Sequence, residues 1–365
     1  MTRAFIALCL VATCSVFTVP LPAQPPTTRS AALLWQVDGS ESGEPFGDLR
    51  DYVLLRDGTV WALDFKDQII RRYAANGAAL SIVGRKGSGP GELRNANGLA
   101  VAPDGTVWVN DPANGRLSLF APNGSAQRAI TRKVGGYGYR WEGWFDASGD
   151  LIEQEIGSDA RFRRLDRNGT VLGTVAYPMC GPPSMGAGYQ AEGPGGSNMF
   201  GAYPFTRGGG IAADRRGHFW CASTRGTRVA RLAFGKTDTV ARTAMDIPLV
   251  PVSADERNEA IRSTEGRLAK YAANDFDRAK VPTIKSGIAA LSVDDDGRLW
   301  VAHTAPWQKT SSTYDVFDGS GKVLFRVTLP VRASPYLPVI ARGNEFVLAV
   351  TDADDVVSLA KYRLR

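Results

Sequence analysis

Residues 98–131 read GLAVAPDGTVWVNDPANGRLSLFAPNGSAQRAIT, and this stretch divides into four short strands. Gly98–Pro103 forms the first and ends at the turn Asp104-Gly105. Thr106–Asn110 is the second and Leu117–Ala121 the third. Asn123-Gly124 then turns the chain into a fourth strand, Ala126–Thr131. Asp-Gly and Asn-Gly are strong hairpin signals because both central residues tolerate positive φ. Four strands in a meander cannot bury both faces alone, so the unit needs neighbours of its own kind.

Those neighbours recur along the chain. A glycine turn followed by a large apolar residue opening a strand appears at Gly58/Trp61, Gly105/Trp108, Gly149/Ile152, Gly217/Trp220, Gly297/Trp300 and Gly343/Phe346. The glycines are 47, 44, 68, 80 and 46 residues apart. Three gaps match the ~45 residues of a four-stranded propeller blade. The two longer gaps are the same unit carrying inserts, 178–210 and 248–287. The pattern predicts an all-β fold, a six-bladed β-propeller of four-stranded antiparallel blades. The last unit is one strand short, and Ala31–Val37 is unassigned. This N-terminal strand is expected to complete the final blade and close the circle. The four repeated tryptophans are expected to pack blade on blade.

Segment 84–124, GRKGSGPGELRNANGLAVAPDGTVWVNDPANGRLSLFAPNG, resembles the NHL repeats of six-bladed, TolB-like β-propellers. The resemblance implies the fold and often a binding role. It does not fix a reaction, because propellers host lyases, lactonases and scaffolds alike.

Composition agrees with a turn-rich chain. Gly 40 and Pro 21 are about 17% of the 365 residues, above the ~12% of average usage. Arg3, the apolar run Ala4–Val19 and Leu21-Pro22-Ala23 read as a signal peptide over 1–23, leaving 24–365 as one propeller domain. Val11-Ala12-Thr13 is a poor approach to lipidation at Cys14. The apolar run Ala4–Val19 is shorter than the ~20 residues that span a bilayer, and no later segment approaches that length. The chain is therefore expected to be exported, periplasmic or secreted, and monomeric. Loss of Arg3 lowers the net charge from +6 to +5. No Lys/Arg block or aromatic stacking motif marks nucleic-acid binding. Cys180 and Cys221 remain after cleavage and are expected to form a disulfide, two buried thiols being the alternative.

Meander connectivity separates two ends. The loops after first and third strands are minimal turns. The loops after second strands and between blades fall at the other end, and both inserts belong there. One elaborated end is a binding-site argument. The first insert, rich in Gly, Met and aromatics, reads as an adaptable apolar lid or as a loop packed by its own rings. The second contains a helix opened by the capping box Ser253-Ala-Asp-Glu256, with Ile261, Leu268 and Tyr271 on one stripe. Arg85, Lys86, Arg94, Asp111, Arg116 and Trp307 are candidate ligand contacts at this rim.

Six residues beyond each repeat glycine stand Asp64, Asp111, Glu155, Ser223, His303 and Ala349. The carboxylates have two readings: bonds to strand-end backbone and nearby arginines, or, with Asp352, hard oxygen ligands for Ca²⁺. His303 is the one histidine placed to act as a general base. His218 starts a strand beside a tight turn at the bare end. There is no phosphate loop and no G-x-S-x-G elbow. The main expectation is a binding or scaffold protein without a cofactor, acting on a protein or small molecule. The alternative is a calcium-dependent, lactonase-like hydrolase.

Overall fold

The computed structural model describes residues 25–132, 140–155, 161–176, 188–193, 198–206, 210–222 and 226–365. The expected leader over 1–23 lies outside them. Among the described residues the strands form eight sheets, and six of these have four or five strands.

The first sheet is Leu49–Leu54, Val60–Asp64, Ile69–Tyr73 and Ala79–Val83. The second is Gly98–Val101, Val107–Asp111, Arg116–Phe120 and Ala126–Thr131. The third is Gly143–Phe145, Leu151–Glu155, Arg161–Leu165 and Val171–Ala176. The fourth is Gly210–Ala213, His218–Ala222, Ala230–Ala233 and Thr239–Arg242. The fifth runs Ile288–Val293, Leu299–His303, Ser312–Phe317 and Val323–Leu329. Each is an antiparallel meander in chain order.

The turns explain why these strands form where they do. At the first hairpin of the first five sheets an aspartate accepts the amide two residues on: Asp57 from Thr59, Asp104 from Thr106, Asp146 from Ser148, Asp214 from Arg216 and Asp294 from Asp296. The repeat glycine that follows sits at positive φ, 88° at Gly105 and 81° at Gly217. An L side chain at that φ would be strained. A short carboxylate and a missing Cβ together fix the hairpin, and alternation then sorts the strand faces.

The sixth sheet closes the chain on itself. Glu345–Thr351 pairs with Val357–Leu364, and Ala31–Val37 adds to Val357–Leu364 antiparallel. The N-terminal strand thus occupies the position expected for it. Its first strand is split into Arg332–Ala333 and Ile340–Arg342, because Pro335 and Pro338 in between have no amide to give to a ladder. Thr28–Arg29 makes an additional, unexpected parallel pairing with Val323–Leu329 of the fifth sheet.

Apolar clusters join the sheets in chain order. Trp61 packs with Leu99 and Val107, and Trp108 with Phe145 and Leu151. Phe162 stacks on Phe219 at 4.9 Å, and Trp220 packs with Leu299 and Val301. Trp300 meets Phe346, while Val347 and Leu359 of the sixth sheet meet Tyr52 and Val60 of the first. The four tryptophans are fully or almost fully buried. They are packing residues, as their common register predicts.

The inserts build a unit of their own. Gly188–Glu192 and Asn198–Ala202 form a hairpin, and Gly188–Glu192 also pairs with Ala273–Asn274 from the second insert. Tyr189 and Tyr203 of the hairpin pack with Ile261 and Leu268 of helix α1 (Ala254–Leu268) and with Phe276. The described part of the first insert is therefore packed by aromatic rings, shared with the second insert. The helix start departs from the expected capping box. Ser253 Oγ accepts the Glu256 amide, but the Glu256 carboxylate bonds Lys285 Nζ at 2.5 Å instead of returning to Ser253. A buried carboxylate gains more from a full charge than from a backbone amide.

Candidate functional site

Three polar clusters lie toward the end of the sheets from which the inserts leave. The first begins at Asp51, on the first strand of the first sheet, where the ladder bulges between Leu49 and Asp51. Asp51 is buried. It accepts the Leu99 amide at 2.8 Å and Arg140 Nε at 2.9 Å. Arg140, just ahead of the third sheet, also reaches Glu142 at 3.2 Å and keeps 24% of its side chain exposed. Burial pushes the Asp51 carboxyl above its ordinary range, with Arg140 and the Leu99 amide opposing. Burial alone would lower Arg140, but Asp51 and Glu142 outweigh it and raise it. Next to Asp51, the Tyr52 hydroxyl donates to the Pro338 carbonyl and accepts the Ala349 amide. One short strand so connects the first, second, third and sixth sheets.

The second cluster surrounds Glu153, which is 1% exposed. Its carboxylate accepts Arg132 on both oxygens, Trp141 Nε1 at 2.9 Å and Arg163 at 3.0 Å. Arg132 continues to Asn110, and Asn110 to Asn97 at 2.8 Å. A buried carboxylate with this many donors is a latch between the second and third sheets. Glu155, the candidate from register, lies in the same strand, but its side chain is outside the described residues.

The third cluster is His303, Asp315 and Arg326, on consecutive strands of the fifth sheet. Asp315 is fully buried and accepts His303 Nε2 at 2.8 Å, Arg326 Nε at 2.6 Å and a second Arg326 nitrogen at 2.8 Å. Burial would raise the Asp315 carboxyl, but the bonds from Arg326 and His303 prevail and hold it below the usual range. His303 is 22% exposed. An imidazole anchored through one nitrogen by a carboxylate, with solvent access, has the form of an oriented general base. Sequence reasoning picked His303 and missed Asp315. The available signal was alternation, because Thr313 and Asp315 face the same side of a strand paired with the one that ends at His303.

The other carboxylates chosen from sequence are engaged by the protein itself. Asp64 accepts the amides of Gly47, Asp48, Lys66 and Asp67 and lies 3.4 Å from Arg71. Asp111 accepts the Arg94 amide and the Asn114 side chain, with Arg116 at 3.6 Å. Burial raises Asp111 despite these partners. Asp352 accepts the amides of Asp354 and Val356 in a hairpin loop. Ala349 is buried, and Ser223 is outside the described residues. Among the described residues no three His, Cys, Asp or Glu side chains gather as a metal-binding group. Asp64 and Asp111 use both carboxylate oxygens, and Asp352 one of them, as acceptors for protein donors.

The ligand candidates separate in the same way. Arg116 donates to the carbonyls of Ser88, Gly89 and Glu92 and so holds down the loop before the second sheet. Arg85 pairs with Glu92 at 2.7 Å, and Lys86 bridges Leu93 by backbone. Arg94 is exposed, and Trp307 keeps 41% of its surface open on the loop after His303. Cys221 is disulfide-bonded; its expected partner, Cys180, lies outside the described residues.

Comparison with known proteins supports the architecture. No protein-family model and no curated protein matches the chain. Solved structures do. A virginiamycin B lyase from Staphylococcus aureus superposes with TM-score 0.51 at 13% identity, covering 92% of this chain and 100% of that one. A streptogramin B lyase gives TM-score 0.51 at 11% identity, over 92% and 97%. A DUF4221-family member from Bacteroides vulgatus gives 0.51 at 12%, over 93% and 97%. The fold is a β-propeller. No helix among the described residues is long and apolar enough to cross a membrane.

Proposed function

We propose that the chain is an exported, six-bladed propeller of the NHL/TolB-like kind that binds a small molecule or a protein through its insert-bearing rim. The observation that carries this reading is the union of the two inserts. Segments separated by more than 70 residues pair as one sheet and share one aromatic core. Rigidly built elaboration at one end of a scaffold favours recognition. The six-blade count is supported by the order of the apolar clusters, in which the sixth sheet meets the first. Arg140, 24% exposed and held by Asp51 and Glu142, adds a positioned cation on the same side.

A thermal-shift screen of small molecules and purified exported proteins tests the reading. It is run on the wild type, Arg140→Ala, and a chain with 254–281 replaced by a short Gly-Ser linker. Ligands that stabilise the wild type should lose their effect in at least one rim variant. Hits unaffected by both variants would overturn it.

A hydrolase is favoured by a separate observation, the His303–Asp315 pair. In that reading His303 takes a proton from water and Asp315 holds the imidazole in place. Ester or lactone hydrolysis that disappears in His303→Ala, while circular dichroism shows the variant still folded, would establish it. Turnover indifferent to the substitution would exclude it.

A further inference from the structure

Positive charge gathers at the insert-bearing end between the first and second sheets. Lys66 lies in the turn after Val60–Asp64, and Arg85, Lys86 and Arg94 lie in the connection from Ala79–Val83 to Gly98–Val101. All four are exposed. Arg85 is matched by Glu92 at 2.7 Å, and Asp67, beside Lys66, is matched by Arg71 at 3.6 Å. The side chains of Lys66, Lys86 and Arg94 have no ion pair or hydrogen bond among the described residues. Three cations are therefore left over once the exposed carboxylates of these two segments are spent.

The backbone that carries these cations is held from several sides. Gln68 Oε1 accepts the Ala96 amide at 2.7 Å, and Gln68 Nε2 donates to the Phe65 carbonyl at 2.6 Å. The turn of Lys66 is thereby tied to the segment of Arg94. Lys86 bridges Leu93, which sets it beside Arg94. Asn114 and Arg116 donate to the carbonyls of Gly87, Ser88, Gly89 and Glu92. The stem of Lys66 rests on Gly47, where a Cβ would stand 2.6 Å from Lys66 Cδ. A platform ordered in advance leaves less entropy to be lost on binding.

The same contacts narrow the partner. The loop amides make no cradle for a small anion, because Gly87 donates to the Leu93 carbonyl, Leu93 to the Arg85 carbonyl and Gly89 to the Glu92 carboxylate. No large apolar side chain is exposed in 65–67 or 84–94, and Arg50 covers the ring of Phe65 at 3.7 Å. A nucleic-acid base finds nothing to stack on, and a membrane receives no apolar anchor. What the surface offers is side-chain charge spread over a rigid strip, the complement of a run of carboxylates.

We propose that this strip docks an acidic, extended segment of a partner protein, with Lys66, Lys86 and Arg94 receiving its carboxylates. It uses neither insert nor Arg140, so its failure and that of the reading above are distinguishable. Fluorescence anisotropy of the full chain with labelled decaglutamate, and with uncharged decaglutamine, tests it. Decaglutamate should bind more tightly by at least about ten-fold, and raising NaCl from about 50 to about 300 mM should erase most of that preference. Combining Lys66→Gln, Lys86→Gln and Arg94→Gln should weaken decaglutamate by about ten-fold, each exposed pair being individually modest. Combining Arg167→Gln, Lys236→Gln and Arg242→Gln removes the same charge from other exposed positions and should leave the affinity unchanged, as should Arg140→Ala. Absence of decaglutamate binding, equal affinity for the two peptides, indifference to the first triple substitution, or an equal loss in both triple variants would overturn the proposal. Capture by phosphatidylglycerol vesicles without peptide binding would overturn it too, and would assign the strip to a membrane surface.

Discussion

Asp315 shows how one side chain couples stability to pH. Its carboxyl ordinarily titrates near 3.8 and is held lower in the folded chain. A depressed folded value favours the folded state wherever the unfolded carboxyl is ionised, above about pH 4. That contribution is lost as pH falls through the folded value. Asp315→Asn should therefore destabilise at pH 7 by about 1–3 kcal/mol, since Arg326 and His303 lose a charged partner. It should also flatten the decline of melting temperature below pH 4. A variant whose acid limb parallels the wild type would contradict this. At the same scale, Asp64 and Asp111 serve backbone amides, so millimolar Ca²⁺ should leave the melting temperature unchanged. A clear upward shift in thermal melts would contradict that.

At the scale of elements, the hairpins and helix α1 carry most of what the sequence made legible. The Asp-Gly and Asn-Gly turns announced the strands, because turn chemistry is local and needs only four residues. The contacts that build the polar clusters were hidden for the opposite reason. Asp51 and Arg140 are 89 residues apart, and no periodicity joins an inner strand of one sheet to the approach of another two sheets on. The pairing of Gly188–Glu192 with Asn198–Ala202 was equally concealed, in a stretch whose glycines and prolines read as loop. Helix α1 offers a direct check of local energetics. A Cβ at Gly266 meets nothing within 4 Å, so Gly266→Ala should stabilise by up to ~1 kcal/mol. Ser253→Ala should cost about 1 kcal/mol through the lost cap. Chemical denaturation of the two variants reads both signs. The loop at 85–93 provides a dynamic counterpart: Arg116→Ala removes its three carbonyl anchors and should speed amide exchange there without moving the global transition.

At the scale of the molecule, the fold depends on joining its two ends. Trp35 and Val37 are buried on the sixth sheet, and burying such side chains contributes roughly 1.5–3 kcal/mol each. The strand also covers the edge of Val357–Leu364, which would otherwise stand open. The packing of the last sheet on the first depends on this closure. The two binding proposals presuppose it as well, because each needs a rigid frame with distinct ends. The most direct test removes residues 25–37 and compares thermal unfolding and amide exchange with those of the chain beginning at residue 25. Closure predicts a melting temperature lower by roughly 5–10 °C and loss of protection along Val357–Leu364. Identical melting and unchanged protection of that strand would contradict it.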